Sequence, residues 1–250
     1  MSDHSYFKFT NAVVIAPLMA VLLIWGVFWI ELLWPVNFNE YGIYPRTFTG
    51  LRGIFFSPFI HGSVEHLYNN TIPLAVLIAS LFYFYRNIAY RVLLVGVLFS
   101  GLITWAIGRP SFHIGASGVI YLLASFIFFK GIFTKYYRLV ALSLMIVFIY
   151  GSLLWYIFPV QEDISWEGHL GGFLTGLALA FFVDSKLPST KKFAWEHADY
   201  DEEQDEFLKH FDVNGNFIEH KEEDSYQDSG AVKITYHYRK STDEGEVNEK

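Results

Sequence analysis

The chain contains no cysteine. That excludes disulfides, a thiol nucleophile and thiolate metal sites, and leaves the compartment open. Charge is also scarce: charged residues are 17% of the 250, against 53% hydrophobic and 19% aromatic. What charge there is sits mainly at one end. From Asp184 onward stand 18 of the 25 acids and 9 of the 18 bases, a balance of −9, so residues 1–183 carry +2. The formal net charge of −7 therefore belongs to the tail. The body lacks a basic stripe interleaved with exposed aromatics, which argues against nucleic acid as a partner. It also lacks His-Glu-x-x-His, so His61, His66 and His169 have no acid placed as in a zinc peptidase. Neither metal nor cofactor is expected.

What the chain has in abundance is long apolar runs. The first, Ala12 to Trp34, is 23 residues long, roughly 34 Å of helix against a hydrocarbon core of roughly 30 Å. It is too long for the apolar core of a signal peptide, and no Ala-x-Ala site follows it. Further runs follow at about 65–85, 92–107, 115–129, 137–158 and 168–183. The expectation is an all-α, polytopic membrane protein with six transmembrane helices. Its organisation reads as a short polar lead (1–11), a membrane body (12–183) and a soluble acidic tail (184–250). Residues 35–60, with many aromatics in a loop, are expected to lie in the interface and to be partly helical.

Six spans place both termini on one side. Lys8, Arg86, Arg91, Lys130, Lys135, Arg138, Lys186, Lys191 and Lys192 fall on that side, and Arg46, Arg52 and Arg109 on the other. The excess of basic residues puts the termini in the cytoplasm and loop 159–167 outside. In the tail, a helix near 194–210 and strand-like alternation at 232–236 are weak signals. Asp212 to Asn216 is similar to a calcium loop in composition, but Gly215 stands at the fourth place instead of the sixth, so a turn is expected.

Polar side chains at membrane depth are costly, and several together point to a functional site. Gly115-Ala116-Ser117-Gly118 opens the fourth run; taken alone it serves close helix packing as readily as chemistry. Its company shifts the balance. His66, Ser117 and His169 stand near the starts of the second, fourth and sixth runs, all at one depth by the topology above. His169, Gly172 and Gly176 share one helix face, so glycines allow a close approach while the imidazole rides on the contact. That suits a general base for Ser117. Glu167 is two residues back and faces elsewhere on a helix, so a Ser–His dyad is expected in place of a triad. His66 and Asn70, four apart, can both donate hydrogen bonds, as an oxyanion hole requires. Tyr121, four after Ser117, can pack beside the His169 ring. His61 is expected to hold loop structure, and His113 is ambiguous.

The chain resembles the rhomboid intramembrane serine proteases. The resemblance rests on His61-x4-His66-x3-Asn70, on Gly115-x-Ser117-Gly118 with Tyr121, and on His169-x2-Gly172-x3-Gly176, in the family's order on the second, fourth and sixth spans. It covers about residues 12–183. It implies that Ser117 is the nucleophile, His169 its base, His66 and Asn70 the oxyanion donors, and Tyr121 a packing partner of the base. It also implies transmembrane proteins as substrates, entering between the second and fifth helices, in a bacterial cell membrane. Leu51-Arg52 departs from the family's frequent Trp-Arg in the first loop. The rival expectation is a non-catalytic relative that binds client helices, but such relatives lose the Ser or His that this chain keeps. A transporter would need polar groups along the full depth, and the inner halves of the spans are apolar.

Overall fold

A computed structural model describes residues 9–34, 36–149, 155–185, 193, 195 and 198–218. The chain divides into two compact units, Met1–Thr190 and Lys191–Lys250. The described part of the first unit is helical: α1 (Asn11–Leu33), a single turn α2 (Gly53–Phe56), α3 (Val64–Phe84), α4 (Ala89–Ile107), α5 (Ser117–Phe133), α6 (Tyr137–Ile149) and α7 (Trp166–Phe182). Three of these, α1, α3 and α4, are long and apolar enough to cross a membrane by length and composition; α5 is a shorter apolar helix.

The helices bury one side inward and leave apolar side chains on the outside. Leu67, Leu77, Leu81, Leu123, Phe126 and Ile127 are fully buried where α3 and α5 meet their neighbours. Val14, Leu18, Leu22 and Leu33 on α1 are about half exposed or more. Hydrocarbon does not penalise such a surface, whereas it does penalise open backbone, which is why helices are the elements used. Prolines at 17 and 73 are accommodated inside α1 and α3. Trp25 Nε1 donates to Thr71 Oγ1 at 3.0 Å, tying α1 to α3.

Several boundaries differ from those expected of the sequence. Counted as expected spans, the fourth (α5) begins at Ser117 instead of Gly115, because Gly115 has φ +108° and cannot be helical. The third begins at Ala89, and at 19 residues is not short. The fifth ends at Ile149; residues 150–154 lie outside those described, and Trp155–Ile157 form a separate 3₁₀ turn. The sixth begins at Trp166, capped by the Ser165 hydroxyl, which accepts the Gly168 N–H at 3.3 Å. Lys130, read as a loop charge, is buried in α5. Its ammonium donates to the Ala180 and Val183 carbonyls and so caps the end of α7.

Loop 35–60 is partly helical, with 3₁₀ turns at Asn39–Tyr41, Thr49–Arg52 and Ser57–Phe59 besides α2. Phe48, Phe55 and Phe56 are exposed. At the Leu51-Arg52 step, Arg52 donates to the Glu40 carbonyl at 3.0 Å and lies 4.4 Å from the centre of the Tyr41 ring.

In the second unit the described residues form one-turn 3₁₀ segments, Glu202–Gln204 and Leu208–His210, where a helix was expected. Asp212 to Asn216 is a turn. The Asp212 carboxylate accepts the Asn214 and Asn216 N–H groups, both at 2.8 Å, and Gly215 has φ +79°. Residues 232–236 lie outside those described.

Candidate active site

Ser117 is the first residue of α5, and the loop before it is held by four hydrogen bonds. Ile43 and His113 exchange backbone hydrogen bonds at 3.0 and 2.9 Å. The Gly115 N–H donates to the Ser57 carbonyl at 2.9 Å, and the Ala116 N–H to Nε2 of His61 at 3.4 Å. The left-handed φ of Gly115 turns the chain into the helix. A side chain there would also collide with the His66 ring, since a Cβ would lie 2.7 Å from its Nε2.

Opposite stands α7, which packs on α5 more extensively than any other pair of helices. A Cβ on Gly172 would meet the Gly118 carbonyl, and one on Gly176 the Leu122 carbonyl. Gly118 itself faces the Gly168 carbonyl. These contacts are what let the His169 ring reach the serine: Nε2 lies 2.8 Å from Ser117 Oγ. Nδ1 lies 2.9 Å from the Tyr156 carbonyl oxygen. A carbonyl only accepts, so Nδ1 carries the proton and Nε2 offers its lone pair to the hydroxyl. Tyr121 stacks on the ring at 4.2 Å with an interplanar angle of 13°.

His66 and Asn70 sit on the α3 face towards Gly115. A Cβ there would be 3.8 Å from Asn70 Nδ2. Among the described residues that buried amide nitrogen has no hydrogen-bond partner. An orphaned donor beside the Gly115 turn, two residues before Ser117, is a place where an oxygen acceptor belongs.

Three residues lie closer to the site than sequence reasoning placed them. His61 stacks edge-on to His66 at 5.0 Å between ring centres, and accepts from the backbone next to Ser117. Burial, and to a lesser extent the neighbouring His66, lower its pKa from the ordinary 6.5 to about 4, against the opposing effect of the bond to the Phe59 carbonyl. His113 is also buried. Its pKa is lowered by burial, against the opposing effects of the Arg109 carbonyl and Glu167. Glu167, read as part of an external loop, is in the first turn of α7 and 1% exposed. It does face away from His169, as its spacing required, and bonds instead to Arg109. Its burial had no sequence signal beyond an acid within an apolar stretch. The Tyr156 carbonyl had none at all, because main chain carries no residue signature. Among the described residues no group of three His, Asp or Glu could hold a metal.

The fold and the site thus define a helical membrane protein with a hydrogen-bonded serine and histidine at the abutting starts of two helices. The chain belongs to the rhomboid family: residues 49–186 match the Rhomboid domain. It is similar to uncharacterized proteins of Mycobacterium tuberculosis and Mycobacterium bovis, 34% identical over 158 residues, 58% of this chain and 64% of each relative. An uncharacterized protein of Mycobacterium leprae is 32% identical over 161 residues, 56% of this chain and 59% of the relative. The matched stretch therefore spans less than two thirds of these relatives' length.

Proposed function

We propose that the chain is an intramembrane serine endopeptidase that cuts other membrane proteins in or near their transmembrane segments. The observation that carries this reading is the 2.8 Å contact between His169 Nε2 and Ser117 Oγ, with the imidazole in the tautomer a base needs. Ser117 Oγ attacks the scissile carbonyl carbon as its proton passes to His169 Nε2. The tetrahedral intermediate collapses, and the same proton goes to the leaving amine. Water then hydrolyses the acyl-enzyme by the same route.

Negative charge on the attacked oxygen needs fixed donors. Asn70 Nδ2 supplies one, His66 another, and the first turn of α5 offers N–H groups that have no partner within the helix. Tyr121 holds the imidazole plane. Family membership supports the reading, since the rhomboid family consists largely of serine proteases, although it includes inactive members.

In this reading α1, α3, α4, α5, α6 and α7 all cross the bilayer. Both termini face the cytoplasm, the site opens outward, and residues 184–250 are a cytoplasmic acidic tail. Substrate helices unwind near their outer ends and enter between α3 and α6, in the plasma membrane of a bacterium.

The test is labelling of the purified protein by a fluorophosphonate, with the modified residue mapped. Ser117 is the expected position. Ser117→Ala should abolish both labelling and cleavage of a model transmembrane substrate. His169→Ala should do the same, and the double variant should be no worse than either single one. Cleavage at the wild-type rate by Ser117→Ala would falsify the reading.

A further inference from the structure

Glu167 is 1% exposed. Its Oε1 accepts the Arg109 backbone N–H at 3.0 Å and lies 3.7 Å from the Arg109 guanidinium. The guanidinium also donates to the Ile164 carbonyl. Oε2 is buried and, among the described residues, has no hydrogen-bond partner; it lies 3.9 Å from His113 Nδ1. His113 is held by both ring nitrogens. Nε2 is 3.1 Å from the Arg109 carbonyl, and Nδ1 is 2.6 Å from Ser165 Oγ. The carbonyl only accepts, so Nε2 donates, and in the neutral ring Nδ1 accepts from the Ser165 hydroxyl. Ser165 Oγ in turn accepts the Gly168 N–H.

These bonds form a chain that crosses from one half of the serine–histidine pair to the other. Arg109 and His113 lie eight and four residues before Ser117. Ser165 and Glu167 lie four and two residues before His169. A buried carboxylate costs several kcal/mol to desolvate, and apolar replacement of buried ion pairs is often neutral or stabilising. Helix α7 already has its cap in Ser165. Stability therefore gives weak grounds for a buried acid at this place, and geometry gives better ones.

We propose that Glu167, together with Arg109, His113 and Ser165, is a positioning latch that locks the loop carrying Ser117 to the start of α7 and so sets the Ser117–His169 hydrogen bond. The latch rests on the serine-protease reading and adds to it residues that touch neither substrate nor nucleophile. A displacement of about 1 Å at such a pair costs about a hundredfold in rate.

The experiment uses the full chain in detergent. It measures the rate constant of fluorophosphonate labelling at Ser117, the final labelled fraction, and kcat and KM on a model transmembrane substrate. Glu167→Ala should lower the labelling rate constant and kcat by about ten- to a hundredfold, with KM within about twofold and the final labelled fraction preserved. Glu167→Gln keeps an acceptor for the Arg109 N–H and should recover to within about fivefold of the wild type. A merely structural role gives the opposite pattern, a smaller labelled fraction reacting at the wild-type rate, and that result overturns the latch. Should Glu167→Ala not yield folded protein, Ser165→Ala and Ser165→Thr decide. The alanine variant should be slowed and the threonine variant should not; equal wild-type rates in both overturn the latch. Wild-type protein that is not labelled at Ser117 removes the serine-protease reading itself. Wild-type protein labelled no faster than folded Glu167→Ala removes only the latch.

Discussion

The Nδ1 atom of His169 lies 2.9 Å from the main-chain carbonyl oxygen of Tyr156. A serine protease triad uses a carboxylate at that place to hold the tautomer and to stabilise the imidazolium. Here a neutral carbonyl holds the tautomer, and no full charge is added at that atom. Glu167, the acid nearest in sequence, is engaged with Arg109 instead.

Because the main chain does this work, the Tyr156 side chain is dispensable for it. Tyr156→Phe should keep kcat/KM on a transmembrane substrate within about twofold of the wild type. A loss of a hundredfold would move the orienting role from the carbonyl to the phenol.

Asn70 presents a buried amide nitrogen that has no partner among the described residues. In the proposed oxyanion role, Asn70→Ala should lower kcat with little change in KM, because the donor would act on charge that appears in the transition state. One such donor contributes roughly 3 kcal/mol, or about a hundredfold. A raised KM with unchanged kcat would assign Asn70 to substrate docking.

The close approach of α5 and α7 makes Gly172 intolerant of any side chain. A Cβ there meets the Gly118 carbonyl, which as backbone has nowhere to go. Gly172→Ala should lower the thermal midpoint and the yield of folded protein, overpacking of this kind costing about 1–3 kcal/mol or more. Gly62→Ala, where the nearest atom is the Ile114 Cδ1 at 3.7 Å, is the matched control and should be neutral.

His61 ties the Ser117 loop to the chain only while it is neutral, since Nε2 accepts the Ala116 N–H. Its pKa is lowered from 6.5 unfolded to about 4 folded. Between those values the unfolded chain binds more protons, so the stability contributed is complete above about pH 6.5 and is lost as the pH falls towards 4. His113, also lowered, acts in the same direction. The thermal midpoint should drop on acidification from pH 7.5 to 5, and His61→Gln should flatten part of that slope. An unchanged slope in the variant would remove His61 as its source.

The absence of cysteine makes the topology directly measurable, since a single introduced thiol is the only one present. Asp163→Cys should react with an impermeant maleimide on intact cells. Asn87→Cys should react only after the membrane is opened. The reverse pattern would invert the proposed orientation.

Much of the fold was legible because a bilayer imposes a simple code. Apolar runs have to be helices, and their lengths and breaks are written along the chain. Ser117, His169, His66, Asn70 and Tyr121 were legible as candidates for a related reason. Polar groups at membrane depth stand out against apolar neighbours, and helical spacing says which of them share a face. What the residues could not say is how near the groups come. The 2.8 Å contact of Ser117 with His169 depends on glycines of one helix meeting carbonyls of another, 54 positions away. The Tyr156 carbonyl and the Ala116 N–H are main-chain groups that every residue carries, so only the path of the chain selects them. Glu167 shows the limit most plainly. Its spacing says that it turns from His169, but only the tertiary structure decides that it turns inward, to a loop 58 residues earlier, instead of outward to water.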